Sequence, residues 1–406
     1  MSLHEMDAGA NACSVEWCPV TGLDHFVACA TYLLNENPLT VEDAVPDTNA
    51  DTSQGGEVEK SRTDRNNGDI HCDRVGDDLT SSSVTGRSNG HISGEMPNEA
   101  VGEAVGRQMR TGTLVLHKLS CDTELLGQGM KLRQARLEEA ARISLDGGIL
   151  DSKWRNDPLG ESAIIACATS TGRVTLHALR SHADRDAPET LETLSTSNPS
   201  DRLLLSLDWN EIDTANEKTQ VVVSESDGSL SVWRCHPGGG EMVCEQRWSA
   251  HVMRGGAPAE AWITFFSRFN PFTVISGADD GLMKGWDLRA CGGEAFRAGH
   301  SWGGSPSFVC RHHGAGVTSG QWHPSREHVF ASGSYDEDIR LWDIRNTRDS
   351  VSQVSTGGGL WRLKWHPSPE AGQRDLLLAA CMHAGVCGRY RVGFGRRGYR
   401  GSHSSG

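Results

Sequence analysis

An aromatic residue two positions ahead of a proline recurs along this chain of 406 residues, and each copy precedes a short apolar stretch. From Trp154 onward, successive copies lie 43 to 60 residues apart, which is near the length of one four-stranded unit in a repetitive β fold. A chain built this way buries its apolar faces by stacking similar units. We refer to these aromatic positions as anchors: Trp17, Trp154, Trp209, Phe269, Trp322 and Trp365, of which Trp154 and Trp209 lack the proline.

The segment after each anchor predicts β-strands. Small apolar residues form one strand, a turn with Asp or Gly follows, and a second strand alternates apolar and polar residues. In the fifth unit these are Val329–Gly333, the turn from Tyr335 to Asp338, and Ile339–Ile344. The 47 glycines suit a fold with many turns. The pattern predicts an all-β protein.

The fifth unit, Ala315–Asn346, resembles the WD-repeat β-propeller family, because it contains Ala-Ser-Gly-Ser-Tyr-Asp-Glu-Asp followed by Leu-Trp-Asp. Six repeats are visible, whereas this family usually closes with seven blades. The resemblance therefore implies a propeller whose seventh blade is missing or incomplete. It also implies a hydrogen-bonded structural tetrad in this blade, formed by His313, Ser334, Asp336 and Trp342.

Composition divides the chain into four parts. Residues 1–34 hold the N-terminal part of the first repeat, and 108–387 hold the remaining repeats. Between them, 35–107 carry 15 acidic and 6 basic residues, which predicts a disordered acidic insertion. The Gly/Arg-rich tail, 388–406, is expected to be disordered or to result from a gene-model error. Leu126–Ala141 is rich in helix formers and predicts a short helix.

Charge and motifs exclude several classes of function. A net charge of −14 argues against direct nucleic-acid binding. No apolar run is long enough to span a membrane, and the first residues do not resemble a signal peptide. The 12 cysteines include no CxxC pair, so we expect reduced thiols, no metal site and a cytoplasmic location. We also expect no cofactor and a monomer.

No standard catalytic motif is present, so the residues alone favour an interaction scaffold. The turns after the small-residue strands nevertheless emerge on one face, where a histidine and carboxylates could activate water. Asp at such a turn is usually a tetrad member or a turn former. Trp262 is expected in the core or at a blade interface. The candidate catalytic residues are His383, Cys381, Asp280 and Glu337.

Several segments resemble a more specific group, the eukaryotic WD-repeat family of the diphthamide pathway. The most distinctive are Gly358–Pro367, which reads Gly-Gly-Leu-Trp-Arg-Leu-Lys-Trp-His-Pro, and Ala379-Ala-Cys-Met-His383. Others are Ser14–Pro19, Ala261–Ile263 and Ser276–Gly281. The matching stretches lie between Ser14 and Gly385 and exclude the acidic insertion and the tail.

This resemblance implies an enzyme, a carboxylic ester hydrolase. It would remove the methyl ester of methylated diphthine on translation elongation factor 2, its partner, during diphthamide biosynthesis. We consider two mechanisms: attack by a water molecule assisted by His383 and a rim carboxylate, and attack by Cys381 with His383 as base. The alternative function is a non-catalytic WD-repeat scaffold that binds protein partners through one face.

Overall fold

A computed structural model describes residues 11–34, 110–126, 129–158, 162–180, 188–212, 219–235, 240–291, 304–366, 375–382 and 384–391. Within these ranges the chain forms 23 β-strands and one short helix, α1 (Leu288–Cys291). No helix among them is long and apolar enough to cross a membrane. The expected acidic insertion and most of the Gly/Arg-rich tail lie outside the described residues.

The strands form six antiparallel sheets, each made from consecutive strands. Sheet 1 contains β1 (Asn11–Trp17), β2 (Phe26–Leu34), β3 (Arg110–Leu126) and β4 (Gly129–Leu145). Sheet 2 contains β5 (Ile149–Trp154), β6 (Ala163–Thr169), β7 (Val174–Arg180) and β8 (Thr190–Thr196). Sheet 3 contains β9 (Leu204–Trp209), β10 (Thr219–Glu225), β11 (Ser229–Cys235) and β12 (Val243–Ser249).

The second half of the chain repeats this order. Sheet 4 contains β13 (Ile263–Phe266), β14 (Thr273–Gly277), β15 (Met283–Asp287) and β16 (Phe308–Cys310). Sheet 5 contains β17 (Val317–Trp322), β18 (Val329–Ser334), β19 (Asp338–Asp343) and β20 (Ser352–Ser355). Sheet 6 has three described strands, β21 (Leu360–Trp365), β22 (Leu376–Cys381) and β23 (Gly385–Arg391).

The first strands of the six sheets, β1, β5, β9, β13, β17 and β21, lie side by side in that order around a central channel. Apolar side chains fill the space between each successive pair of sheets, from sheets 1 and 2 to sheets 5 and 6. The predicted all-β WD-repeat propeller with six visible repeats is confirmed. Its core is a series of separate inter-sheet layers, because each sheet is apolar on both faces.

The anchors connect neighbouring sheets as well as filling the core. The indole N–H of Trp154 donates to the backbone carbonyl of Glu16 in sheet 1 (3.0 Å), and that of Trp209 donates to Lys153 in sheet 2 (2.8 Å). Trp365 makes the same bond to Gln321 in sheet 5 (3.2 Å). Each of these tryptophans therefore ties its sheet to the one before it.

Between sheet 6 and sheet 1 the packing is different. Large apolar residues are exposed on both sheets, namely Val15, Trp17 and Leu33 on sheet 1 and Leu378 on sheet 6. An ion pair between Lys364 and Glu16 links sheet 6 to sheet 1. Among the described strands, the ring is thus open at one position, as the expected missing or incomplete blade requires.

Three expectations about local structure were wrong. Leu126–Ala141 lies mainly in β4, whose pairing with β3 along its length outweighs the helix propensity of its residues. In sheet 4, Phe266 rather than Phe269 pairs with the second residue of the next strand, as Trp322 and Trp365 do in sheets 5 and 6. Phe266 is buried, whereas Phe269 is exposed. Strand β23 also runs to Arg391, past the expected boundary at residue 387.

Candidate functional site

β-Bulges occur at one end of the channel, in the first strand of most sheets; we call these first strands the inner strands. In each bulge the inner strand has one residue more than the strand beside it, so the side chain of that extra residue can turn toward the channel. The extra residues are Cys13, Leu150, Leu205, Thr318 and Trp361. Trp262, directly before β13, occupies the corresponding place in sheet 4. We call the surroundings of Trp262 and Trp361 the channel mouth.

Two tryptophans meet at the channel mouth. The ring centroids of Trp262 and Trp361 lie 6.3 Å apart, with their planes inclined by 58°. Trp262 belongs to sheet 4 and Trp361 to sheet 6. Their contact therefore joins two sheets that are not neighbours, since sheet 5 lies between them in the ring. Both rings are partly exposed. The expectation that Trp262 lies in the core or at a blade interface was therefore wrong.

Carboxylates and a phenol adjoin the two indoles. The Trp262 N–H donates to Oδ1 of Asp279 (2.7 Å), which holds this exposed carboxylate beside the ring. Burial raises the pKa of Tyr335, and the charges of Asp279 and Glu260 raise it further. These two carboxylates therefore lie near the Tyr335 phenol. The channel mouth combines three aromatic rings with negative charge.

Two glycines make room for these side chains. A Cβ on Gly316 would lie 2.7 Å from Oδ1 of Asp279 and 3.5 Å from Cδ2 of Tyr335. A Cβ on Gly359 would lie 3.1 Å from Cδ1 of Tyr335 and 3.6 Å from Sδ of Met382. A larger residue at Gly316 would push Asp279 or Tyr335 away, so the glycines allow the close approach of the rim side chains.

Below the mouth, the channel holds a network of paired charges. Lys153 Nζ lies 3.1 Å from Oε1 of Glu16 and 3.3 Å from Oδ1 of Asp151, and Arg362 reaches Asp151 at 3.4 Å. Ser206 Oγ also donates to Asp151 (3.0 Å). Burial opposes ionisation of Asp151, but Lys153 and Arg362 hold its pKa below the ordinary value. These charges compensate one another, so removing any one of them would leave an uncompensated buried charge in the channel wall.

Sequence reasoning missed two other carboxylates. Asp208, at the end of β9, accepts a hydrogen bond from the Phe266 N–H (2.9 Å), and burial raises its pKa to about 6. Glu211 accepts one from the Asn156 N–H (3.1 Å), and burial raises its pKa to about 7. Asp208 directly precedes the anchor Trp209, a repeat position that could have drawn attention to it.

The predicted tetrad is present with a different serine. His313 Nδ1 pairs with Asp336 (3.0 Å), its Nε2 lies 2.7 Å from Ser332 Oγ, and the Trp342 N–H donates to that same oxygen (2.7 Å). Ser334 instead donates to the Ala315 carbonyl. The predicted Ser334 is therefore replaced by Ser332. Alternate residues of a strand share a face, and Ser332, which pairs with Arg340, lies nearer in the register to Trp342 than Ser334 does.

Three of the four predicted catalytic residues lie within the described part of the chain. Asp280 belongs to a second tetrad: it pairs with His251 (2.9 Å) and Lys284 (3.1 Å), while His251 reaches Ser276 (2.7 Å). Cys381 is buried in the apolar layer between sheets 5 and 6. His383 lies outside the described residues.

Glu337, the third, sits in the turn before β19 with a φ of +68°. Corresponding turns in other sheets place Gly172, Gly228 and Gly281 at such positive φ values. The structure thus does not bring Asp280, Glu337 and Cys381 together at one point. Among the described residues, no cluster of His, Cys, Asp and Glu could hold a metal ion.

Comparisons with known proteins agree with this architecture. Residues 304–343 match the family model described as "WD domain, G-beta repeat". Together with the six antiparallel sheets around a channel, this match defines the chain as a WD-repeat β-propeller protein.

Relatives identify the family more closely. The chain is 30% identical to human "Diphthine methyltransferase" over 388 residues, which cover 95% of this chain and 67% of the relative. It is 30% identical to the mouse protein of that name over 387 residues, covering 94% of this chain and 62% of the relative. A Dictyostelium discoideum homologue is 32% identical over 252 residues, 61% of this chain and 62% of that protein.

The chain therefore belongs to the diphthine methyltransferase family. It spans about two thirds of the length of its mammalian relatives.

Proposed function

We propose that this protein is a carboxylic ester hydrolase that removes the methyl ester of methylated diphthine on translation elongation factor 2, a step of diphthamide biosynthesis. Its relation to proteins named diphthine methyltransferase supports a role in that pathway. We place the site at the channel mouth, because there the exposed carboxylate of Asp279 is held beside aromatic rings.

The reaction needs an activated water molecule and a place for the ester. A base removes a proton from water as the water oxygen attacks the ester carbonyl carbon. The bond from that carbon to the methoxy oxygen then breaks, and the methoxy group leaves with a proton as methanol. The acid that remains ionises to a carboxylate. No cofactor is needed for this sequence.

Asp279 is the carboxylate best placed to act as the base or to orient the water. Its side chain is exposed at the mouth, and its Oδ1 accepts the Trp262 N–H. Asp280, by contrast, is engaged by His251 and Lys284. A nucleophilic Cys381 would require substrate to enter an apolar layer, so attack by water is the better-supported mechanism. Participation of His383 and of Glu337 stays a prediction.

The first experiment follows the mass of elongation factor 2 carrying methylated diphthine before and after incubation with the protein. Loss of one methyl group with release of methanol is the expected result. A gain of a methyl group when a methyl donor is added would contradict hydrolysis and support transfer. No change in mass under either condition would favour the non-catalytic scaffold.

Variants then test the site. Asp279→Asn should lower kcat by about 100-fold or more if the carboxylate assists the attacking water. His383→Ala should also lower kcat, and full activity of that variant would contradict both mechanisms that use His383. Asp349→Asn is a matched control, because Asp349 is an exposed carboxylate in the loop before β20. The expected cytoplasmic location and monomeric state stay predictions.

A further inference from the structure

A short loop with exposed apolar side chains lies beside the channel mouth. Residues 252–258 belong to the connection between β12 and β13, just ahead of Trp262, and every one of them is exposed. Val252 is 49% exposed and Met253 is 43% exposed. Arg254 is the single charged residue of the segment. We call residues 252–258 the rim loop. It presents two large apolar side chains and one positive charge to solvent.

Hydrogen bonds within the rim loop fix its shape. The Met253 N–H donates to the Ala257 carbonyl (2.8 Å), and the Gly256 N–H donates to the Met253 carbonyl (2.9 Å). Val252 and Pro258 form an antiparallel bridge at the base of the loop. Gly256 has a φ of +83°, in the region that favours glycine. The exposed side chains are therefore carried by an ordered backbone, which lowers the entropy lost when a partner binds them.

Both ends of the rim loop are bonded to the turn that carries Asp279. Before the loop, His251 is completely buried and its Nδ1 pairs with Asp280 (2.9 Å). After the loop, the Glu260 carbonyl accepts a hydrogen bond from the Asp279 N–H (3.1 Å). The position of the rim loop is thus fixed relative to the carboxylate that we propose assists the attacking water.

A protein that brings an ester to Asp279 has to approach the rim around it. The rim loop is the part of that rim with the composition of a protein interface, because methionine and arginine are enriched in interfaces and lysine and glutamate are depleted. Methionine also adapts its shape to an irregular partner surface. The charge of Arg254 favours a partner surface on which a carboxylate borders an apolar recess.

We propose that the rim loop docks the protein substrate. Val252 and Met253 enter an apolar recess of that protein, and Arg254 pairs with a carboxylate at the edge of the recess. The inference rests on the proposed function, because it takes the substrate to be a protein whose ester reaches Asp279. It assigns the recognition of the protein to a surface separate from the one that acts on the ester.

Kinetics with two substrates test this separation. The full chain is given elongation factor 2 carrying the methyl ester, or a short proteolytic peptide of that protein carrying the same ester. Met253→Asp should raise KM for the intact protein about tenfold or more and leave kcat unchanged, because it places a charge in an apolar contact. Its kinetics on the peptide should match those of the original chain. An unchanged KM for the intact protein would overturn the proposal.

Phe269→Asp is the matched control. Phe269 is 41% exposed, close to the value for Met253, but it follows β13 and so lies at the other end of that strand from Trp262. This variant should act on both substrates as the original chain does. An equal rise in KM for both variants would overturn the proposal, since the effect would then be independent of the rim loop. Circular dichroism verifies that each variant folds.

The charge of the rim loop is tested at Arg254. Arg254→Glu should raise KM for the intact protein about tenfold, and Arg254→Lys should restore most of the affinity, because the lysine keeps the positive charge. The effect of Arg254→Glu should shrink as salt is added. A KM unaffected by Arg254→Glu would overturn the carboxylate that we assign to the partner surface.

Direct binding separates this inference from the proposed function. Biolayer interferometry measures the affinity of each full-length variant for elongation factor 2 carrying methylated diphthine, without turnover. Weaker binding by Met253→Asp but not by Phe269→Asp would support docking even if the methyl ester is never removed, and the hydrolase proposal alone would then fail. Unchanged binding by Met253→Asp, or no binding by the original chain, would overturn docking even if hydrolysis is observed.

Discussion

The indole nitrogen of Trp154 lies 3.0 Å from the backbone oxygen of Glu16, in the sheet before its own. Trp17 occupies the same place in sheet 1, but the described chain has no sheet before it. Consequently Trp154 is 6% exposed and Trp17 is 53% exposed. Two residues that are equivalent in sequence thus differ because one stands at the open position of the ring.

This difference predicts unequal effects on stability. Trp154→Ala should lower the free energy of unfolding by about 3–5 kcal/mol, because it leaves a cavity and an unpaired carbonyl. Trp17→Ala should lower it by less than about 1 kcal/mol. Urea denaturation followed by circular dichroism measures both. A similar loss in the two variants would show that another chain segment covers Trp17.

The tetrad of sheet 5 predicts which serine is coupled to Trp342. Ser332→Ala removes the acceptor of the Trp342 N–H and a partner of His313, so it should cost about 1–3 kcal/mol of stability. In a double-mutant cycle with Trp342→Phe, Ser332→Ala should be strongly non-additive. Ser334→Ala, whose hydroxyl bonds the Ala315 carbonyl, should be additive within about 0.5 kcal/mol. The reverse pattern would restore Ser334 to the tetrad.

His177 predicts a loss of stability in acid. Its ring is completely buried between Thr175 and Thr193, and burial lowers its pKa to about 4 from the usual 6.5. The unfolded chain binds this proton more readily, so the contribution is full above pH ~6.5 and declines as pH falls toward 4. The NMR titration of the ring should give a midpoint near 4. A midpoint near 6.5 would contradict the burial of this imidazole.

Asp208 has the opposite dependence. Its raised pKa, about 6, means that the folded chain binds this proton more readily, so its contribution declines as pH rises from about 4 to about 6. Asp208→Asn should therefore make the acid side of the pH–stability curve steeper. His177→Gln should flatten it.

Glu337 predicts a gain in stability on replacement by glycine. Its φ of +68° lies in the left-handed region, where a side chain costs roughly 1–2 kcal/mol. Glu337→Gly should raise the free energy of unfolding by about 0.5–1 kcal/mol after the greater freedom of glycine in the unfolded chain is included. Glu337→Gln keeps the backbone cost and should show no gain.

The same pair of variants tests function. If the carboxylate of Glu337 takes part in hydrolysis, both variants should lose activity while only one gains stability. Full activity in both would remove Glu337 from the candidate catalytic residues.

Regularly repeated features were predictable from sequence. The anchors, the small-residue strands and their turns recur, so the six sheets and the histidine–aspartate pair of sheet 5 could be located in advance. Where the local signal was weak, prediction failed. Leu126–Ala141 favours a helix by composition, and only its pairing with β3 makes it a strand. Phe269 matches the anchor pattern, but the register assigns that place to Phe266.

The candidate site depends on contacts that no local pattern encodes. Trp262 and Trp361 are 99 positions apart in the chain. Their rings meet because Trp262 directly precedes the inner strand of sheet 4 and Trp361 is the bulge residue in the inner strand of sheet 6. In the sequence, Asp279 is one of several carboxylates in turns. Only the structure shows that the Trp262 N–H donates to it and that Gly316 leaves room for it. Strand period and turn chemistry are local properties and can be read from neighbouring residues. The channel mouth arises only when the sheets pack around a common axis and bring distant side chains into contact.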